Sequence, residues 1–151
     1  DYFRAGFLLH VLGEGTFLEL LEFIERYAPD PVTADVVRRA RLDEGRHVAY
    51  GIANARGILQ HQPARREELV AAAEERAAAL RASSGANPLV LEALAILAGG
   101  GDSPDQIERG FQAVRRLQQD MHAGRVRRML QLGLDAAAAA HISELHTPNF
   151  M

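Results

Sequence analysis

The stretch Leu42–Tyr50, LDEGRHVAY, decides the fold and the site that the sequence predicts. It lies in a segment that otherwise has the pattern of a buried helix, yet it contains a Glu-x-x-His pair, Glu44 and His47. Residues three apart share one face of a helix, so the carboxylate and the imidazole point the same way. Ionised groups are costly in a helical core unless they are paired or bind a metal. This stretch is therefore the first candidate site.

A second carboxylate, Glu14, interrupts the apolar stripe of the preceding segment. We predict that this segment is one helix from about Tyr2 to Tyr27. Its stripe alternates steps of four and three residues and consists of Phe3, Phe7, His10, Glu14, Phe17, Leu21 and Ile24. The Ala-Pro-Asp-Pro segment that follows ends the helix, because proline does not suit a helix interior. The next helix is predicted from about Val32 to Gln60.

The two glutamates lie at matching depths in these helices. Glu14 precedes Tyr27 by 13 residues, and Glu44 follows Val32 by 12 residues. At about 1.5 Å per residue, both are roughly 18–20 Å from the turn. A short turn makes the helices antiparallel neighbours, so the hairpin brings Glu14 level with Glu44 and His47. We predict that these three side chains bind metal. The alternative is a structural polar cluster in which arginines pair with the carboxylates.

The rest of the chain has the pattern of further helices. They are predicted at about Ala64–Ala82, Pro88–Ala98, Ser103–Leu132 and Asp135–Leu145, with a loop at 83–86 and a tail at 147–151. The alanine- and leucine-rich composition, with few β-branched residues, favours an all-α protein. We expect one antiparallel helical bundle, in which residues 1–62 form the metal-site hairpin and residues 63–151 are additional packing helices. The apolar helix that starts at Pro88 is expected to be buried or to lie in an interface.

Composition excludes several classes of function. The net charge is −3, so no basic field favours nucleic acid as a partner. The 151 residues contain no cysteine, so any metal must be held by Asp, Glu and His, which suits iron or manganese. No uninterrupted apolar run reaches about 18 residues and no signal peptide is visible. We therefore expect a cytoplasmic protein without a membrane partner.

Two segments resemble those of a known superfamily. Residues 43–51, DEGRHVAYG, resemble the Asp-Glu-x-Arg-His segment that closes the last helix of the metal core in ferritin-like di-iron carboxylate proteins. Residues 11–15, VLGEG, are similar to the segment that carries the preceding glutamate. The resemblance covers roughly residues 1–60. The 30-residue spacing of the glutamates is similar to that of the p-aminobenzoate N-oxygenase branch, whose extra histidine corresponds to Ala40 here.

The resemblance implies a ferritin-like bundle with two iron ions, or alternatively manganese. It implies that Glu14 bridges or chelates the metal, that Glu44 bridges and that His47 is a terminal ligand. The implied activity is that of an oxidoreductase that uses O₂ on a small-molecule substrate. Two alternatives are a metal-free helical dimerisation or interaction module and an iron-oxidising storage relative.

This chain contains only half of the superfamily's ligands. The first carboxylate and the first Glu-x-x-His of the superfamily are not in it. We expect either that it is the C-terminal part of a longer protein, with the missing helices before Asp1, or that a second copy completes the site as a homodimer.

Three neighbouring residues are expected to support the ligands. Asp43 is a candidate to orient a ligand histidine, and Arg46 is a candidate to pair with a ligand carboxylate or with Asp43. For each of them, an exposed position on the helix surface is the equal alternative. His10 lies one turn from Glu14, where it lines the site, is a further ligand, or is a hydrogen-bonded core histidine, the last of which is favoured. The apolar side chains expected to keep water out of the site are Phe3, Phe7, Phe17 and Leu21.

Overall fold

Helices form all of the regular secondary structure in the computed structural model, which describes residues 1–83 and 87–147. The predicted all-α architecture is therefore confirmed. The predicted loop from residue 84 onward and the predicted tail from residue 148 onward lie outside the described residues. None of the described helices combines the length and the apolar composition needed to cross a membrane.

The first long helix extends from Tyr2 to Tyr27, as predicted, but its middle is not α-helical. It consists of α1 (Tyr2–Gly6), a π-helical segment (Phe7–Glu14) and α2 (Gly15–Tyr27). Asp1 caps its start by accepting a hydrogen bond from the backbone N–H of Phe3 at 2.9 Å. Helical turns of the π type are rare and occur frequently at functional sites. This one ends at Glu14.

The second long helix, α3 (Pro31–His61), forms an antiparallel hairpin with α2. Asp30 caps it by accepting hydrogen bonds from the backbone N–H groups of Val32 and Thr33, both at 2.9 Å. Proline suits the first helical position because its missing N–H is not needed there. The helix begins and ends within one residue of the predicted bounds.

The remaining helices follow in the predicted order. They are a 3₁₀ turn (Pro63–Arg65), α4 (Arg66–Ser83), α5 (Pro88–Gly99), α6 (Pro104–Gln131) and α7 (Ala136–His146). Gly100 ends α5 in the left-handed conformation, with φ 74°, which glycine adopts without steric cost. Gln106 accepts hydrogen bonds from the backbone N–H and the hydroxyl of Ser103 at the start of α6.

Two hydrophobic clusters hold the helices together. The first joins α1 and the π-helical segment to α3, α4, α6 and α7. Its buried members are Phe3, Phe7, Val11, Leu12, Ala55, Leu59, Leu69, Ala73, Met129, Leu132, Leu134, Ala139 and Ile142. The second joins α2 to α5 and α6. Its members are Phe23, Leu94, Ala95, Ala113, Val114, Leu117 and Met121. The expectation for α5 holds for one side only, because Leu94 and Ala95 are buried whereas Leu89 is 70% exposed.

Neither cluster reaches the first half of α3. The buried residues of this helix are Val48, Gly51, Ala55 and Leu59, all of which follow His47. Residues 31–47 include no buried residue. One side of the α2–α3 hairpin is therefore open to solvent, and this is the side on which the predicted ligands lie.

Candidate metal centre

The structure brings Glu14, Glu44 and His47 together, as the matching depths predicted. Each of the three offers one potential ligand atom, and these atoms all lie within 4.8 Å of one another. His47 Nδ1 lies 3.4 Å from Glu44 Oε2 and 3.9 Å from Glu14 Oε2. All three candidate ligands therefore come from the helical hairpin.

Glu44 has a carboxylate oxygen that no described protein group satisfies by a hydrogen bond. Its Oε2 atom is buried but has no hydrogen-bond partner. A buried acceptor without a partner costs about 1–3 kcal/mol, and more when it is charged. A cation beside this oxygen would remove that cost. The donor set of two carboxylates and one imidazole suits iron or manganese.

The three side chains lie at the edge of the bundle and not in its interior. The side chain of Glu14 is 20% exposed, that of Glu44 is 33% exposed and that of His47 is 56% exposed. The expectation that they all face inward is therefore wrong for His47. The reason is the open side of the hairpin, where more than half of the His47 side chain is accessible to solvent.

His10 supports the site directly. Its Nδ1 atom forms a hydrogen bond with Glu14 Oε2 at 2.7 Å, within the π-helical segment. Opposite His10 is Gly51 of α3, on which a Cβ atom would lie only 2.5 Å from His10 Cβ. The absence of a side chain at Gly51 thus lets the two helices approach closely beside the carboxylates. Glu14 is held in place by a neighbour on its own helix.

Asp43 and Arg46 do not support the ligands. They form an ion pair with each other, three residues apart on the outer face of α3. The side chain of Asp43 is 66% exposed and that of Arg46 is 76% exposed. Of the two alternatives that the sequence left open, the structure therefore has the surface position for both residues, with Arg46 paired to Asp43. A position next to a ligand in sequence lies about 100° around the helix from it, and here that rotation leads to solvent.

The expected apolar shell is also corrected. Phe3 and Phe7 are buried in the first hydrophobic cluster, and they do not line an enclosed site. Phe17 is 37% exposed. The π-helical segment explains this difference, because its wider turn changes the phase of the residues that follow it. The stripe that looked continuous in the sequence therefore divides between the core and the open side.

Two arginines that contact the helix around Glu14 were not predicted: Arg76, which is half-buried, and Arg128, which is buried. Arg76 of α4 donates a hydrogen bond to the backbone carbonyl of Leu8 at 2.7 Å, and burial lowers its pKa. A Cβ atom on Gly13 would lie 3.5 Å from Nη2 of Arg76. Arg76 therefore satisfies a carbonyl of the π-helical segment on the side of the helix opposite to the open face.

Arg128 of α6 occupies the space beside the next glycine. A Cβ atom on Gly15 would lie only 2.6 Å from Nε of Arg128. The guanidinium is 3% exposed and donates a hydrogen bond from Nη1 to Glu19 Oε1 at 2.8 Å. The signal for these contacts is present in the sequence as Gly-Glu-Gly within a helix. Each mid-helix glycine costs about 1 kcal/mol relative to alanine, so a pair of them indicates a close approach.

Three other histidines, His61, His141 and His146, lie at surface or core positions away from the cluster. His141 is half exposed and lies 2.9 Å from Glu74 without a third ligand among the described residues. His61 is exposed, and its ring contacts the backbone carbonyl of Gly57. His146 is buried, and burial lowers its pKa.

Comparisons with known proteins identify no relative of this chain. No family model matches it, and no curated protein or solved structure matches it significantly. These comparisons therefore provide no evidence for or against the resemblance to ferritin-like proteins, and the function must be argued from the geometry of the site.

Proposed function

We propose that Glu14, Glu44 and His47 bind a divalent transition-metal ion and form half of a dinuclear iron or manganese centre. In this proposal the protein is an oxidoreductase that uses O₂. The observation that carries the proposal is the buried Oε2 atom of Glu44, which has no hydrogen-bond partner and lies beside a second carboxylate and an imidazole.

The charges around the site favour metal binding over a structural polar cluster. The chain has 17 basic side chains, all of them arginine. Arginines pair with Glu19 and Glu25, the other acidic residues of α2 that are largely buried. Within the described part of the chain, however, no arginine lies within ion-pair distance of Glu14 or Glu44. Two neighbouring carboxylates without a guanidinium partner are the arrangement that a cation requires.

The residues of this chain would have distinct tasks in such a centre. Glu44 would bind through Oε2, which has no hydrogen-bond partner. Glu14 would bind while its hydrogen bond with His10 holds its orientation. His47 lies on the solvent side and would complete this half of the ligand set. Two iron ions, when bound, would supply the binding and reduction of O₂.

Metal titration of the chain and three variants tests this proposal. We expect Mn²⁺, or Fe²⁺ without oxygen, to bind the unaltered chain. Glu44→Gln and His47→Ala should each lower the affinity at least about 10-fold, because each removes a ligand. Glu74→Gln is the matched control, because it alters a Glu–His pair of similar geometry that lacks a third ligand. Equal metal content in all four proteins, measured by elemental analysis, would refute the proposal.

A metal-free interaction module is the second candidate function, and one observation favours it. Three apolar residues of α5 are exposed: Leu89 at 70%, Val90 at 43% and Ile96 at 41%. If α5 mediates self-association, a dimer should form in the presence of a chelator, and Leu89→Arg should abolish it. Sedimentation velocity with and without EDTA separates this candidate from the metal protein.

A further inference from the structure

One face of α3, on the open side of the hairpin, carries Val32, Val36, Ala40, Asp43, His47 and Tyr50. These residues follow one another at intervals of three or four, so they share one face of the helix. The apolar members form a stripe that is interrupted by Asp43, which is paired with Arg46, and by the candidate ligand His47. Val32 is 74% exposed, Val36 is 61% exposed and Tyr50 is 56% exposed. Phe17, also exposed, lies on the neighbouring helix α2.

The site on this face is an incomplete ligand set of a particular kind. One hairpin supplies a glutamate from the end of the π-helical segment and a Glu-x-x-His pair from α3. Dinuclear carboxylate centres in helical bundles use a glutamate from each of two helices and a Glu-x-x-His pair from each of two others. Two copies of this hairpin contain that set, with four carboxylates and two imidazoles. No ligand would be missing and none would be left over.

We propose that a second copy of this chain covers the open face across a two-fold axis, so that the two copies enclose two divalent cations. This inference rests on the proposed function of Glu14, Glu44 and His47. A two-fold axis places the same patch of both chains against itself, so each ligand triad meets another triad and each apolar stripe meets another stripe.

Charge makes the association depend on the metal. Two copies bring four carboxylates into one small volume, where they repel each other strongly without a counter-charge. Two divalent cations supply four positive charges, which balance the four carboxylates. A partner without ligands would instead cover Glu14 and Glu44 without supplying a cation, and burying carboxylates without a metal or an arginine partner is costly.

Sedimentation equilibrium of the whole chain, with and without Mn²⁺, tests the inference. We expect a monomer in EDTA and a dimer in Mn²⁺, with one metal ion bound per chain. A monomer that still binds Mn²⁺ would overturn the dimer and leave the proposed metal function intact. A chain that binds no Mn²⁺ would overturn both. A dimer of equal affinity in EDTA would show that cations do not join the two copies, and would overturn the inference.

A charged substitution on the stripe tests where the two copies meet. Val36 lies two turns, or about 12 Å, from Glu44. An arginine there would therefore not form an ion pair with the ligands or displace them. We expect Val36→Arg to weaken the Mn²⁺-dependent dimer at least about 10-fold. Leu89→Arg is the matched control, because Leu89 is an equally exposed apolar residue on a different helix. The inference is overturned if Val36→Arg dimerises as well as the control.

Discussion

Substituting Gly51 with alanine should push apart the two helices that carry the ligands. The added Cβ atom would lie 2.5 Å from Cβ of His10, whereas nonbonded carbon atoms prefer about 3.5–4.0 Å. Neither atom is at the end of a flexible side chain, so the helices must separate by roughly 1 Å, as the difference between these distances requires. Overpacking of this kind typically costs about 1–3 kcal/mol.

The matched control is Gly45→Ala on the same helix, where an added Cβ atom would meet nothing within 4 Å. Both variants gain about 1 kcal/mol because alanine favours a helix more than glycine does. This gain cancels in the comparison, so Gly51→Ala should be less stable than Gly45→Ala by about 1–3 kcal/mol. Gly45→Ala itself should be more stable than the unaltered chain.

Urea unfolding followed by circular dichroism at 222 nm measures this difference. For a chain of this size, each kcal/mol corresponds to about 2–4 °C in Tm, so thermal melts provide an independent check. Metal affinity should fall in Gly51→Ala alone, because only that substitution disturbs His10 and Glu14. If Gly51→Ala proves as stable as Gly45→Ala, the close approach at His10 is not a constraint and the reasoning fails.

Two further predictions concern buried charge. Glu19→Ala leaves Arg128 buried without its partner and should destabilise the chain by about 3–5 kcal/mol. The control, Glu108→Ala, removes an exposed pair and should cost less than about 1 kcal/mol in the same urea experiment. Burial lowers the pKa of His146 below its usual 6.5, so the unfolded chain binds more protons below pH 6.5 and stability should fall as the pH falls from 7 to 5. His146→Leu should lose less stability over that range than His61→Leu, and equal pH dependence of the two variants would contradict the assignment.

The helix bounds and the assembly of the ligands could be predicted because both follow from local rules. Asp30 and the proline after it determine where α3 begins, and a fixed rise per residue determines how far Glu14 and Glu44 lie from the turn. Neither argument needs to know what packs against the hairpin. The role of Asp43 needed that knowledge, and the sequence therefore left a supporting position and a surface position equally open.

The π-helical segment and the buried arginines could not be predicted because they depend on distant contacts. Leu8 and Arg76 are 68 residues apart in sequence, and Arg128 follows Glu19 by 109 residues. Composition places arginine on the surface, yet Arg125 is 1% exposed, and burial, together with Arg128, lowers its pKa to about 10. Only the paired glycines around Glu14 gave a local sign of these contacts.

The contacts of Arg76 and Arg128 have a consequence for how this chain can be divided. The hairpin of residues 1–62 contains all three candidate ligands, so a peptide of these residues would be the obvious choice for studying metal binding. The backbone around Glu14, however, is contacted by side chains of α4 and α6, which are Arg76 and Arg128. A peptide cut after residue 62 would lose both contacts, and Gly13 and Gly15 would then lower the stability of this part of the helix. The site therefore depends on side chains of α4 and α6, although all of its candidate ligands come from the hairpin of residues 1–62.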